Sequence, residues 1–157
     1  MLIERIRKKS ELFFAIIVFL DATTKAWALI ALSSGVWKIN RFLSFELVFN
    51  RGISFSLFSS TQKMMQYGVS IGVACILLLF AWFALTRKKR GHCVVFESMV
   101  IAGGLSNFLN RIMMGFVIDF IKITVNGFVF PLFNVADMVI CCGIAMMVFH
   151  IVRGDYD

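Results

Sequence analysis

The sequence predicts a mainly α-helical membrane protein with four transmembrane helices and a small extracytoplasmic β-sheet made of two hairpins. Hydrophobic residues make up 60% of the chain and charged residues 16%, against roughly 45–50% and about 25% in soluble domains. Four apolar stretches are long enough to span a bilayer, and clusters of basic residues adjoin their ends. The length of 157 residues predicts a single domain, residues 1–157.

Each of the four stretches has close to the number of residues, about 20, that a transmembrane helix needs. The second has no charged residue, whereas the first contains Asp21 and Lys25. The third contains Arg111 near its end, and the fourth has Asp137 in its first turn. Ionisable groups are costly in hydrocarbon, so each of these is a candidate functional residue. The predicted spans are residues 12–32, 67–85, 94–113 and 135–152.

The basic residues set the predicted orientation. Nine Lys and Arg residues occupy three short segments, namely the N-terminus, the 86–92 loop and the tail at Arg153. Five others are spread over the longer loops 33–66 and 114–134. The positive-inside rule then places both termini in the cytoplasm and the two long loops outside. No soluble domain remains to carry a basic face, which argues against nucleic-acid binding.

The two long loops alternate apolar and polar residues, as β-strands do. In residues 42–58 the alternation surrounds Asn50-Arg51-Gly52, which predicts a turn. In residues 117–130 the turn is Asn126-Gly127, which suits type I′ because both positions tolerate a positive φ. We expect two hairpins that lie together as an amphipathic sheet on the membrane surface.

The four cysteines lie in or beside apolar runs and have no CxxC spacing. We interpret them as buried small hydrophobic residues. No disulfide framework, metal site or cofactor is expected. They are Cys75, Cys93, Cys141 and Cys142.

Asp21 and Lys25 are four residues apart, so they share one face of the first helix with the acid in the favourable N-terminal position. One interpretation is a structural ion pair that lets both side chains enter the bilayer. The other is that the pair orients the active site or a substrate carbonyl from below.

Asp119 and Asp137 are the candidate catalytic residues. Asp119 interrupts an apolar strand, either as an edge charge that deters aggregation or as a functional carboxylate. Asp137 either follows an N-cap at Asn134, where the helix dipole favours an acid, or acts together with Asp119. Two adjacent carboxylates share a proton, so one can take a proton from water while the other donates to a carbonyl. Such a pair would hydrolyse a peptide bond.

Asn107 and Arg111 share a face near the predicted outer end of the third helix. Gly103 and Gly104 lie one turn earlier and allow close helix approach. Arg111 either extends to the interface, as long basic side chains do, or fixes the loop leading to Asp119, or meets the acids directly.

Five motifs, in this order and over most of the chain, resemble the lipoprotein signal peptidase (signal peptidase II) family. Each alone is weak, whereas the five together are highly specific. This chain has Asn110 where many members carry an acid, and Ser54 where they carry Ala. The motifs are Asp21-Ala-Thr-Thr-Lys25, Asn50-Arg-Gly52-Ile-Ser-Phe55, Gly103-Gly104-x-x-Asn107-x-x-x-Arg111, Gly115-Phe-Val-Ile-Asp119-Phe and Phe130-Pro-x-Phe-Asn134-x-Ala136-Asp137.

The resemblance implies an aspartyl endopeptidase of the bacterial inner (cytoplasmic) membrane, with its active site at the extracytoplasmic side. It would cleave diacylglyceryl-modified prolipoproteins immediately before the lipidated cysteine. Its partners would be these substrates and membrane lipids, and we expect a monomer. By the same resemblance Asp119 and Asp137 match the catalytic pair. Positions that shape or support the site are matched by Asp21, Lys25, Asn50, Gly52, Gly104, Asn107, Arg111, Asn134 and Ala136.

Two other functions are compatible with acids in a membrane helix bundle. In a small proton-coupled transporter the acids and Lys25 would form a proton relay. Relay residues are expected at mid-bilayer depth, however, and only the Asp21–Lys25 pair is predicted there. In a non-catalytic assembly factor the acids would only fix helix packing. Release of a signal fragment from a labelled diacylated lipobox peptide distinguishes the three.

Overall fold

A computed structural model of the protein describes residues 2–52 and 63–156, with the side chains of residues 11–52 and 66–156. The segments Glu11–Ala31, Gln66–Lys89 and Val135–Arg153 are helices long and apolar enough to cross a membrane. The prediction of a mainly helical membrane protein with a small antiparallel sheet is confirmed. The elements in chain order are α1 (Leu2–Ala31), β1 (Trp37–Lys38), β2 (Leu43–Asn50), α2 (Lys63–Lys89), α3 (Val95–Met114), β3 (Val117–Val125), β4 (Phe128–Val129) and α4 (Val135–Arg153).

Helix α3 lies at the centre of the bundle, where it contacts α1, α2 and α4. It is 20 residues long, but Glu97, Asn107 and Arg111 make it less apolar than the three segments above. Because its neighbours surround it, these polar groups face protein rather than lipid. Apolar side chains are outside instead, with Leu78 70% and Val152 81% exposed. The bundle is thus polar at its centre and apolar at its surface.

Two glycines let α3 and α4 approach closely. A Cβ at Gly103 would lie 2.6 Å from the carbonyl oxygen of Ala136 and 2.8 Å from Cγ1 of Ile140. Gly143 of α4 is similarly close to α3, since a Cβ there would lie 3.0 Å from the carbonyl oxygen of Phe96. This contact brings the following turn of α3 next to the start of α4.

The strands form one antiparallel sheet in the order β1-β2-β3-β4. Strands β3 and β4 form the hairpin predicted around Asn126-Gly127, and the two turn residues have φ of 50° and 81°. Both values are positive, as a type I′ turn requires. Strand β2 is the first arm of the other predicted hairpin. The second arm of that hairpin lies outside the described residues, and within them β2 pairs with β1 and β3.

The sheet packs against the C-terminal part of α1. Ile118 and Phe120 of β3 form a buried cluster with Ala28 of α1 and with Leu32, which directly follows α1. The ring of Trp27 meets that of Phe120 edge to face, with centroids 6.1 Å apart. These contacts fix β3 beside α1.

The cysteines do not follow the prediction of burial. All four are free and exposed, so their interpretation as buried hydrophobic residues was wrong. Cys75, Cys141 and Cys142 lie in α2 and α4, and a helix surface in lipid accepts small apolar residues as well as a protein interior does, whereas Cys93 lies between α2 and α3.

A polar cluster of Arg87, Glu97 and Tyr156 lies at the N-terminal end of α3. Glu97 is fully buried, and its Oε1 lies 2.7 Å from Nε of Arg87 in α2. Tyr156, which follows α4, donates its hydroxyl to the same oxygen at 2.8 Å. Burial, and then the hydrogen bond and charge of Glu97, raise the pKa of Tyr156, so the hydroxyl remains a donor. The residues after α4 are therefore tied to α2 and α3.

The α3–α4 contact predicts different effects for two glycine substitutions. We expect Gly103→Ala to lower the free energy of unfolding by roughly 1–3 kcal/mol, because the added methyl overlaps α4. Gly72→Ala is the matched control in α2, since its Cβ would meet nothing within 4 Å. Thermal unfolding in detergent measures both, and equal melting temperatures would contradict the close contact.

Candidate active site

Two pairings of β3 fix the position of Asp119. In the register between β2 and β3, Asp119 stands opposite Val48. On its other edge β3 forms a bridge to Phe133, in which Ile121 N donates to Phe133 O at 2.9 Å and Phe133 N donates back at 3.1 Å. The next residue is Asn134, so this bridge places Asn134 beside Asp119.

Asn134 and Asp137 begin helix α4. Asn134 is the N-cap, and its Oδ1 accepts a hydrogen bond from the backbone N–H of Asp137 at 3.0 Å. Asp137 is the N3 residue, and its Oδ2 accepts from the backbone N–H of Asn134 at 3.1 Å. This reciprocal capping box confirms the predicted N-cap. It also fixes the Asp137 carboxylate where the helix dipole favours negative charge.

The side chain of Asn134 joins the two acids. Its Nδ2 donates to Oδ1 of Asp119 at 2.7 Å, while its Oδ1 binds the backbone of Asp137. Asn50 donates to Oδ2 of Asp119 and Asn107 to Oδ1 of Asp137, each at 2.8 Å. Every carboxylate oxygen of the pair therefore accepts one hydrogen bond. Among the described residues, neither acid takes part in an ion pair.

Asp21 and Lys25 form the predicted ion pair, with Nζ 2.6 Å from Oδ2, and both are buried. The pair also contacts the elements that carry the acids. Oδ1 of Asp21 accepts the backbone N–H of Ala136 in α4 at 2.8 Å, and Lys25 donates to Oδ1 of Asn107 in α3 at 2.6 Å. The interpretation as a buried ion pair is confirmed, and the pair also binds α3 and α4 next to the acids.

Arg111 is buried, so it does not extend to the interface. Its guanidinium donates to the carbonyl oxygen of Gly52. The N–H of Gly52 donates in turn to Oδ1 of Asn50 at 2.9 Å. Arg111 thus holds the segment after β2, which orients Asn50, rather than the loop leading to Asp119. Its charge also interacts with both carboxylates.

The two acids differ in the exposure of their side chains. Asp119 is 2% exposed, whereas Asp137 is only partly buried. Burial raises the pKa of Asp119 from 3.8 to about 6. The hydrogen bonds from Asn50 and Asn134 and the charge of Lys25 oppose this rise, and the charge of Asp137 adds to it. A carboxyl group with this pKa can hold or release a proton near neutral pH.

The other predicted site residues gather around the acids, with one exception. Gly104 faces α2, where a Cβ would lie 2.6 Å from Cδ2 of Leu77, so it serves helix packing. Asn110 accepts the N–H of Ile118 at 2.8 Å and ties β3 to α3. Sequence reasoning missed Ser106, which donates to Oδ2 of Asp21 at 2.6 Å. A single serine in an apolar helix gives no signal beyond its place beside Asn107.

The arrangement suits acid–base chemistry by the two carboxyl groups. Over residues 2–52 and 63–156, no three His, Cys, Asp or Glu side chains are grouped so that they could hold a metal ion. Fold and site together define a helical membrane protein with a buried centre built on two aspartates.

The comparison with protein families identifies the chain further. The model of the family described as signal peptidase (SPase) II matches residues 13–153. The chain belongs to the signal peptidase II family, which confirms the resemblance seen in its five motifs. It is therefore a peptidase of that family.

Individual relatives agree with this assignment. The chain is 30% identical to the lipoprotein signal peptidase of Clostridium tetani, over 88% of each chain. It is 35% identical to that of Anaplasma marginale, over 82% of this chain and 76% of the relative. The lipoprotein signal peptidase of Coxiella burnetii is 33% identical over 88% and 86%. These relatives are all peptidases, which favours a peptidase over a transporter.

Two solved bacterial membrane enzymes have the same fold. One superimposes with a TM-score of 0.75 at 22% identity, covering 93% of this chain and 88% of the other. The second has a TM-score of 0.72 at 25% identity, covering 93% and 94%.

The raised pKa of Asp119 predicts a pH-dependent stability. Well below pH 4 the carboxyl group is protonated in both the folded and unfolded states. As pH rises from about 4 to about 6, the unfolded state loses the proton first, so the stability conferred by the protonated group is lost. Relative to Asp119→Asn, we expect the free energy of unfolding to fall by up to about 3 kcal/mol over this range. Unfolding in detergent from pH 4 to 7 measures this, and a constant difference would contradict it.

Proposed function

We propose that Asp119 and Asp137 are the catalytic pair of a membrane aspartyl endopeptidase. It removes the signal peptide from diacylglyceryl-modified prolipoproteins and cuts immediately before the lipidated cysteine. The observation that carries the proposal is that one residue, Asn134, binds both acids. Its side-chain NH₂ donates to the Asp119 carboxylate, its backbone N–H donates to the Asp137 carboxylate, and its side-chain oxygen accepts the backbone N–H of Asp137. The names of the relatives support the substrate class.

In the proposed mechanism the two carboxyl groups share one proton, because like charges at close range do not both ionise easily. The ionised member takes a proton from a bound water, whose oxygen bonds to the scissile carbonyl carbon. The protonated member donates its proton to the carbonyl oxygen. The C–N bond then breaks as the carboxyl group that took the water proton gives it to the amine nitrogen of the lipidated cysteine. The other carboxylate takes back a proton from the gem-diol hydroxyl, which becomes the new carbonyl. The pair titrates as a unit, so these roles belong to the pair rather than to one residue.

The position of the pair suits a lipidated substrate. Asp137 is in the first turn of the apolar helix α4, and Asp119 is on a strand outside it. A diacylated cysteine keeps its acyl chains in the bilayer, so the bond to be cut lies near the headgroups. The proposed supporting residues are Asp21, Lys25, Asn50, Gly52, Gly104, Asn107, Arg111, Asn134 and Ala136.

We further propose that the chain forms one integral domain with four spans in the bacterial inner membrane. The length and central position of α3 support it as the third span. The basic residues at the end of α2 support cytoplasmic termini, with the sheet and the acids outside. The protein would act as a monomer surrounded by membrane lipids, without nucleic acid.

Replacing either acid by its amide should greatly slow cleavage. We expect Asp119→Asn and Asp137→Asn each to lower kcat by about 10²- to 10⁴-fold, because an amide neither takes nor gives the carboxyl proton. The assay follows release of the signal fragment from a labelled diacylated lipobox peptide in detergent. Asp155→Asn is the control, since Asp155 is exposed after α4. Wild-type turnover by either site variant would remove that residue from the mechanism.

The topology predicts opposite locations for two reporters. A reporter inserted after Lys89, at the end of α2, should be cytoplasmic. A reporter in the β3–β4 turn after Gly127 should be extracytoplasmic. Paired alkaline phosphatase and fluorescent protein fusions measure the two locations. An extracytoplasmic signal after Lys89 would invert the proposed orientation.

A further inference from the structure

Three asparagines surround the acid pair in the same way. Each directs its NH₂ group at a carboxylate, Asn50 and Asn134 at Asp119 and Asn107 at Asp137. Each also has its carbonyl oxygen occupied by a donor. The three amides therefore present hydrogens, and not oxygens, to the acids.

The donor at each oxygen fixes the direction of the amide. For Asn50 it is the backbone N–H of Gly52, at 2.9 Å, and for Asn134 the backbone N–H of Asp137, at 3.0 Å. A backbone N–H cannot accept a hydrogen bond, so a reversed amide would place NH₂ against N–H. Backbone N–H groups therefore fix the orientation of the side-chain amides of Asn50 and Asn134.

Asn107 differs, because the short hydrogen bond to its oxygen comes from a side chain. Lys25 donates to Oδ1 of Asn107 at 2.6 Å. The NH₂ group of Asn134 also lies 3.1 Å from this oxygen. That group has only two hydrogens, however, and it is also within reach of Asp119 at 2.7 Å and of the Ile118 carbonyl oxygen at 3.4 Å. Lys25 is therefore the principal group that holds the Asn107 amide in its direction.

We propose that Lys25 is a positioning residue for the peptidase reaction, acting through Asn107 to keep a hydrogen-bond donor aimed at Asp137. An ammonium group has only donors, so it requires the oxygen of Asn107 to face it and the NH₂ group to face the acid. The inference rests on the proposed catalytic role of Asp119 and Asp137. It assigns to Lys25 a task beyond its ion pair with Asp21.

The charges around the pair define what loss of Lys25 would do. Asp21 and Lys25 face the pair from α1 and Arg111 from α3, while the 67–85 stretch of α2 has no charge. Arg51 after β2 is exposed, and Lys122 of β3 is paired with Glu46 at 2.7 Å. Without Lys25 the pair loses a nearby positive charge, and the Asn107 amide is free to turn its oxygen to a protonated acid. Both changes disfavour the ionised pair.

A double-mutant cycle tests the route through Asn107. Lys25→Met, Asn107→Ala and the double variant are assayed with the diacylated lipobox peptide. We expect Lys25→Met to lower kcat/KM by about 10-fold or more. The rates are compared on the plateau of the pH profile, where the lost charge no longer limits the fraction of ionised pair. If Lys25 acts through Asn107, the double variant will there be no slower than Asn107→Ala alone, whereas independent effects would multiply. Lys38→Met, at an exposed position in β1, is the control with unchanged activity.

The pH profile separates positioning from a purely structural ion pair. We expect the acid-side midpoint of the kcat/KM profile to rise by about one pH unit in Lys25→Met. Loss of Lys25 leaves Asp21 without its ion-pair partner, which could prevent folding. In that case the pH profile of the double variant Asp21→Asn/Lys25→Met, in which neither charge of the ion pair remains, is compared with that of Asp21→Asn. Multiplicative losses or an unchanged profile in folded protein would overturn the proposal. Activity of Asp119→Asn or Asp137→Asn would instead overturn the proposed function, so the two failures are distinguishable.

Discussion

The site depends on burying two carboxyl groups with hydrogen bonds in place of water. An unpaired charge is costly in a protein interior unless donors compensate for the lost hydration. Asn134 supplies much of this compensation, because an amide has both a donor and an acceptor. Its nitrogen binds Asp119, and its oxygen caps the helix that carries Asp137. The β-bridge at Phe133 and the start of α4 are the backbone features that put this residue between the acids.

The helix bundle supports this arrangement by reversing the usual distribution of polarity. Its polar side chains lie on α3 and on the facing side of α1, and its apolar ones face outward, where acyl chains would contact them. Small residues make the inner contacts close. Because Gly103 admits α4 to backbone distance, Asn107 one turn later reaches Asp137. A larger residue in place of Gly103 would separate the two helices and leave the Asp137 carboxylate without its donor, Asn107.

Local features of the structure were predictable from sequence, and long-range ones were not. The length of the apolar stretches predicts the helices, the dipeptide Asn126-Gly127 predicts the β3–β4 turn, and Asn134 predicts the N-cap of α4. Each of these features depends only on residues that are neighbours in the sequence. The spacing of Asp21 and Lys25 likewise predicts their ion pair. The hydrogen bond from Lys25 to Asn107 joins residues 82 apart, and no local pattern encodes it. The motifs indicated which residues gather at the site, but not which atoms of those residues meet.

The cluster at the other end of α3 has a consequence for biosynthesis. Glu97 and Arg87 belong to helices made early, whereas their tyrosine partner follows α4. Because the chain is synthesised from its N-terminus, Glu97 and Arg87 exist before Tyr156 does. The tyrosine hydroxyl can donate to Oε1 of Glu97 only after α4 has been made, and Oε2 of Glu97 has no hydrogen-bond partner among the described residues. The contact that ties the residues after α4 to α2 and α3 therefore depends on one of the last residues of the sequence to be synthesised.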